Sequence, residues 1–295
     1  MNPAHWQNRV RHMAACCAVV GAGLCTDETL ADTVAWVGTD FPPMAMSQGA
    51  YAHQGYIDAL FRFVQESLPQ HAFHEEIVPW TRAMTMAQRG GPYCLISAFQ
   101  TPERETFLRF TAPYGYLLPI GVVIRGSDQE RFSPFLSKTG NLQLAELLAK
   151  PEFGMGIASS RSYGPKIDVL LQPLVAAGAK YIHRAHQDES TRFLLSMLES
   201  KRFDYMLAYP SEVGYYATSS TALRFYPIEG NNDLLPGRFS CTRSPQTDRV
   251  FADVSALANT RKSRAVFLSA YERWLPQYLI AAYRQRLGDM PGASP

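Results

Sequence analysis

The sequence has no surplus of charge of either sign: 28 Lys and Arg stand against 26 Asp and Glu, a formal net charge of +2 in 295 residues. A protein that grips a phosphate backbone needs a basic excess, so nucleic acid is not expected as a partner. No apolar stretch reaches the ~20 residues that a membrane-spanning helix takes. There is no Gly-Lys-Ser/Thr phosphate loop and no Gly-x-Ser-x-Gly elbow, which removes the commonest phosphate-binding and hydrolase signatures. The seven histidines show no metal spacing: neither His71 with His74 nor His183 with His186 is joined by cysteine or a clustered acid. No cofactor and no metal are expected. Internal repeats and low-complexity tracts are absent as well. What remains is an ordinary globular composition, 46% apolar with 20 Gly and 20 Pro, long enough for two lobes.

The first residues have a different character. Arg9 and Arg11 precede an uncharged run over 13–24, and small side chains at Thr29 and Ala31 follow. That order is the layout of a secretory signal peptide cleaved after Ala31, and the run is too short for a retained anchor. A buried N-terminal helix is the alternative. Cys16, Cys17 and Cys25 raise lipidation, but Leu24 directly before Cys25 fits such a signal poorly. The expectation is a soluble exported protein, periplasmic, whose remaining cysteines, Cys94 and Cys241, either pair or stay buried in an oxidising compartment.

Beyond residue 31 the apolar pattern alternates between strand and helix. Strands are expected at 33–39, 71–78 and 93–97, with amphipathic helices at 55–68 and 80–88 between them. After a strand at 117–124 the same order starts again: helix 142–149, strand 153–158, helix 163–177, strand 180–183, helix 191–200, strand 205–209. A strand at 238–242 and helices at 248–259 and 262–286 complete the chain. Strand and helix in alternation is the grammar of an α/β fold with mostly parallel, helix-covered sheets, here in two lobes. Ligands of such sheets bind beyond the carboxyl ends of the strands, so the loops there carry the interest.

Phe41, in Asp40-Phe41-Pro42-Pro43, and Trp80, in Pro79-Trp80-Thr81-Arg82-Ala83, follow the first two strands as candidate walls for a ligand, with core packing as the alternative for Phe41. Arg82 is as readily a solvated helix residue. After the third strand Thr101 reads as an N-cap, Pro102 as the first helical position, and Arg104 falls in the first turn. A guanidinium there suits bidentate capture of a carboxylate. The alternative is an ion pair with Glu103, Glu105 or another neighbour.

These segments, with Gly55-Tyr56-Ile57-Asp58 and Phe110-Thr111-Ala112-Pro113-Tyr114, stand in one order, and that order resembles the extracellular solute-binding protein family 3. The stretch from Gly154 to Tyr163 resembles the family's second-lobe glycine/serine loop, and Cys241-Thr242-Arg243-Ser244 its returning first-lobe strand. The resemblance implies a type II periplasmic-binding-protein fold: a signal peptide over 1–31, a first lobe of 32–118 with 238–295, and a second of 119–237. It further implies a monomer that binds a polar amino acid or an analogue between its lobes and serves an inner-membrane ABC permease or a receptor. Arg104 is the position that holds a ligand α-carboxylate, Ser97 a supporting hydroxyl, Phe41 and Trp80 the aromatic walls, and Ser162 a second-lobe donor at a helix N-terminus. Two departures accompany it. Tyr209 stands where the family's ammonium-binding acid is expected, with Glu212 a substitute from the next turn, and Arg161, beside Ser160 in place of a usual glycine, adds a cation facing the cleft or, as a surface residue, solvent. Ser159 and Ser160 suit a hydrogen-bonding loop better than a nucleophile. Some relatives are dehydratases that use a cleft carboxylate as general acid, for which Glu212 is the candidate here.

Overall fold

Val34, Ala35, Trp36 and Val37 are all buried, and a strand buried on both faces requires cover above and below its sheet. The computed structural model describes residues 33–158, 161–185, 190–217 and 222–290. The expected signal peptide, Cys16, Cys17, Cys25, Ser159, Ser160 and His186 lie outside the described residues.

Strand β1 (Thr33–Gly38) runs parallel to β2 (Ala72–Ile77) on one side and β3 (Tyr93–Leu95) on the other. Helices α1 (Tyr56–Ser67) and α2 (Trp80–Arg89) make the crossovers. Helix α1 turns Tyr56, Leu60, Phe63 and Val64 inward at helical spacing. The carboxylate of Asp58 in its first turn accepts the N–H groups of Gly55 at 2.8 Å and Met46 at 3.0 Å, which fixes the end of the loop after β1. Gly55 is required there, because a Cβ would collide with the Met44 carbonyl.

The chain continues through α3 (Pro102–Glu105), β4 (Leu108–Phe110) and β5 (Gly115–Leu117) into a second sheet. That sheet is built from β6 (Gly121–Arg125), α4 (Gln129–Phe132), α5 (Leu144–Leu148), β7 (Met155–Ala158), α6 (Pro165–Ala176), β8 (Ile182–Ala185), α7 (Ser190–Glu199), β9 (Tyr205–Ala208), α8 (Pro210–Tyr216) and β10 (Leu223–Pro227). Its strand order is β10-β6-β9-β7-β8, with β7 parallel to both β8 and β9. The chain returns by β11 (Leu235–Gly237), which pairs antiparallel with β5, so the two crossings between lobes lie side by side. Then β12 (Ser240–Thr242) inserts between β3 and β4, giving the first sheet the order β2-β1-β3-β12-β4. Helices α9 (Pro245–Ala258), α10 (Arg261–Glu272) and α11 (Gln277–Gly288) follow.

Cys94 and Cys241 face each other across β3 and β12 and form a buried disulfide, which resolves the alternative left open above. Around it Trp36 meets the rings of Phe61, Phe73 and Phe239 at centroid distances of 5.2, 5.6 and 5.9 Å.

Two expected elements are corrected. The strand at 117–124 is β5 and β6 separated at Leu118-Pro119-Ile120, since Pro119 has no N–H to give a ladder. The helix at 262–286 is α10 and α11, because Pro276 lacks the donor an unbroken helix needs and instead takes the N-cap of α11. Strands β4, β10 and β11 and helix α8 were not expected from the pattern.

Candidate functional site

The loops after β1, β2 and β3 carry Phe41, Trp80 and Arg104. A two-way backbone bridge between Phe41 and Ala45 holds the first loop in a tight turn, and Phe41 stays half-buried on it. Trp80 opens α2 and is also half-buried. Thr101 caps α3 as its pattern predicts: its hydroxyl accepts the Arg104 N–H at 3.2 Å. The Arg104 guanidinium lies 5.3 Å from the Trp80 ring centroid, and its Nη1 donates to the Phe99 carbonyl at 2.8 Å.

No carboxylate of the described residues forms an ion pair with Arg104, so the pairing with Glu103 or Glu105 is not made; Glu105 instead accepts from the Gln100 amide. Burial lowers the Arg104 pKa, with the Glu103 charge opposing, and an arginine still remains cationic. The result is a half-buried cation, with most of its five N–H groups uncommitted, at the end of an aromatic wall. Ser97 lies deeper, half-buried, lining a small cavity with Gly38, Thr39, Asp58 and Ile96. The structure makes no hydrogen bond between Ser97 and Arg104.

On the second lobe the loop after β7 carries Arg161 to Glu212, which lies in the first turn of α8. The pair is bidentate: Nη1 to Oε1 at 2.9 Å and Nη2 to Oε2 at 2.7 Å. The Thr191 hydroxyl donates to Oε1 at 2.5 Å and the Tyr209 N–H to Oε2 at 2.8 Å, while Arg161 Nη1 also reaches Thr191 Oγ1 at 3.1 Å. Glu212 is 1% exposed and the Arg161 side chain 14%. Three rings surround the guanidinium: Phe41 at 5.2 Å, Tyr209 at 5.2 Å and Tyr163 at 5.5 Å. Phe41 comes from the first sheet's loop, so this contact bridges the lobes. Burial alone would push the Arg161 pKa down, but the Glu212 charge and hydrogen bonds outweigh it and hold the pKa above the ordinary arginine value. Burial also raises the hydroxyls of Tyr163 and Tyr209, so both rings face the cation neutral.

Several expectations change here. Arg161 is not a solvent-facing residue, because the Glu212 carboxylate and three rings hold it inside. Glu212 is not an open acceptor for a ligand ammonium, nor a carboxyl free to act as a general acid, because four donors already converge on its two oxygens. Ser162 is exposed and stands two residues before the α6 N-cap, Gly164. Its hydroxyl donates to Asp168 at 2.5 Å rather than projecting as a donor from a helix end. Tyr209 is the N-cap of α8, and its ring packs on Arg161. Phe41, Arg161, Tyr209 and Glu212 thus form one cluster, Trp80 and Arg104 a second, and Ser97 and Ser162 belong to neither.

Thr191 and Tyr163 are members of the cluster that sequence reading did not single out. Thr191 reaches Arg161 and Glu212 from α7, and Tyr163 packs on Arg161 from two residues along the same loop. Among the described residues no group of three His, Cys, Asp or Glu side chains is placed to hold a metal ion, and no helix is long and apolar enough to cross a membrane.

No family model and no curated protein matches the sequence. Solved structures do match the fold. The probable amino-acid ABC transporter extracellular-binding protein ytmK from Bacillus subtilis aligns with 83% of this chain and 99% of its own, at 15% identity and a TM-score of 0.58. An ancestral cationic amino acid solute binding protein, AncCDT-1, aligns with 83% of this chain and 96% of its own, at 15% identity and a TM-score of 0.57. The VFT2 domain of Bordetella pertussis BvgS gives 82% and 93%, at 16% identity and a TM-score of 0.53. The chain therefore has the two-lobed α/β fold that these proteins share.

Proposed function

We propose that this protein is an exported, periplasmic solute-binding protein that captures a small carboxylate-bearing solute, an amino acid or an analogue, and presents it to a membrane ABC permease. Residues 1–31 act as the signal peptide, 32–118 with 238–295 as the first lobe, and 119–237 as the second. Arg104 carries the reading: a half-buried guanidinium, without an ion-pair partner among the described residues, placed against Trp80 beyond the carboxyl end of β3. It supplies a charge-assisted, bidentate donor to a ligand carboxylate. Phe41 and Trp80 serve as apolar walls and Ser97 as a hydroxyl at the floor, and closure of the lobes about the β5–β11 crossings shuts water out. The names of the similar structures, among them an extracellular-binding protein and an amino-acid-binding ancestor, support the same reading.

One chain supplies both walls, so a monomer suffices. Binding without chemistry is the reading that fits Glu212, whose carboxylate is committed to Arg161, Thr191 and Tyr209.

Calorimetric titration with amino acids and plain organic acids tests the proposal. Saturable binding at one site per chain is expected, with Arg104→Ala weakening it by about 1.5–3 kcal/mol, the worth of a hydrogen bond to a charged group. An Arg104→Ala protein that binds as tightly as the parent overturns the site.

A further inference from the structure

We infer that the cleft selects carboxylates that carry no ammonium group, and that the Arg161–Glu212 pair is what excludes the ammonium. This rests on the carboxylate-capture reading and narrows its solute.

An ammonium taken out of water needs acceptors for its three donors, or aromatic faces, or both. The second lobe's rim has both and has already assigned them. A carboxylate offers about four acceptor positions, and those of Glu212 receive two donors from Arg161, one from Thr191 and one from the Tyr209 backbone. The neighbouring Asp168 is engaged as well, through the Ser162 hydroxyl on Oδ2 and the Tyr163 N–H on Oδ1. The faces that would stabilise a cation, those of Phe41, Tyr163 and Tyr209, are turned on the Arg161 guanidinium. The place for a ligand cation is therefore held by a cation of the protein itself.

A free solute does not readily displace that occupant. The fold holds Arg161 against its partner, so it competes as an intramolecular group, whereas the solute arrives at its own bulk concentration. Displacement would also strand the guanidinium away from Glu212 and add its charge to that of the incoming ammonium. Arg104 faces no such competition, since no carboxylate of the described residues pairs with it. Arg161 and Glu212 cancel each other, and Arg104 keeps a guanidinium with no ion-pair partner among the described residues. That balance suits a monocarboxylate whose remaining surface is apolar or uncharged and lies against Phe41 and Trp80.

The test is calorimetry with matched pairs that differ only in the ammonium: 3-phenylpropanoate against phenylalanine, 4-methylpentanoate against leucine, and 4-hydroxybutanoate against its 2-amino counterpart. The desamino member of each pair that binds is expected to bind at least about tenfold tighter. Equal or tighter binding of the amino acids overturns this inference and leaves carboxylate capture standing. Binding by no member of any pair overturns the capture reading, and this inference with it.

Two variants assign the effect to residues. Arg161→Gln frees Glu212 and the three rings, and the preference should shrink or reverse; an unchanged preference removes Arg161 as the determinant. The double variant Arg161→Gln with Glu212→Gln, which leaves no buried charge unpaired and likewise frees the three rings from the guanidinium, should also weaken the desamino preference. Thermal melting of each variant confirms that the comparison is between folded proteins. If Arg161→Gln does not fold, the double variant carries the assignment: an unchanged preference there shows that the pair is not the source of it.

Discussion

In the first lobe the centre of the sheet is closed by a disulfide and a group of aromatic rings, whereas in the second the joints between elements are made by buried charge. Cys94–Cys241 and the rings of Trp36, Phe61, Phe73 and Phe239 lie around β1, β3 and β12. The second lobe instead has Arg125, 7% exposed, whose Nη1 donates to the carbonyls of Leu198 at 2.5 Å and Phe203 at 2.7 Å while its guanidinium pairs with Asp128. Arg161 with Glu212 repeats the arrangement at the cleft. The difference decides where a charge is available. Among the described residues Arg125 and Arg161 are each matched by a carboxylate of the second lobe, and Arg104, the guanidinium without an ion-pair partner, belongs to the first.

Breaking one partner of a matched pair gives the largest expected effect. Glu212→Ala strands Arg161, and urea unfolding should show a loss of about 3–5 kcal/mol. Replacing both residues by apolar ones, Arg161→Met with Glu212→Leu, should cost far less than the sum of the single changes. The first lobe's covalent tie comes next: Cys94→Ala with Cys241→Ala should cost about 2–4 kcal/mol, and hydrogen exchange should rise in the first sheet while β7 and β9 stay protected. Arg104→Ala sharpens the contrast, because stability should change by less than about 1 kcal/mol for a residue without an ion pair while ligand affinity falls. A stability loss as large as that of Glu212→Ala would place Arg104 among the structural cations and erase the distinction. The smallest effect belongs to Arg131, half-exposed and 2.8 Å from Asp204, where Arg131→Ala should move stability by less than about 1 kcal/mol.

Strands β1, β2, β7 and β9 and helices α1 and α2 were legible because each is long or regular enough for its apolar period to show against the turn residues that bound it. Strands β4 and β11, three residues each, are too short to display a period and form only because a distant partner presents its backbone. Pro119 and Pro276 were visible as residues, but the apolar runs on either side masked their effect. At the site, Arg104 was legible through the local chemistry of Thr101 and Pro102. The Arg161–Glu212 pair was not, since one partner lies on the loop after β7 and the other in α8, and nothing in either segment specifies the other. Reading each residue alone left Arg161 to the cleft or the surface and Glu212 to a ligand, and the fold gave them to each other.

The placement of β12 between β3 and β4 bears on how the molecule is made. Synthesis runs from the N-terminus, and β4 has no neighbour in the sheet but the strand that arrives after the whole second lobe. The second lobe is continuous in sequence and can complete itself while the first still shows an open edge on β3 and an unbonded thiol at Cys94. A chain that stops short of residue 240 would therefore carry a finished half joined to an unfinished one, with the exposed strand edge that draws in other chains. The first lobe is thus the last to close, although its sequence is the first to appear.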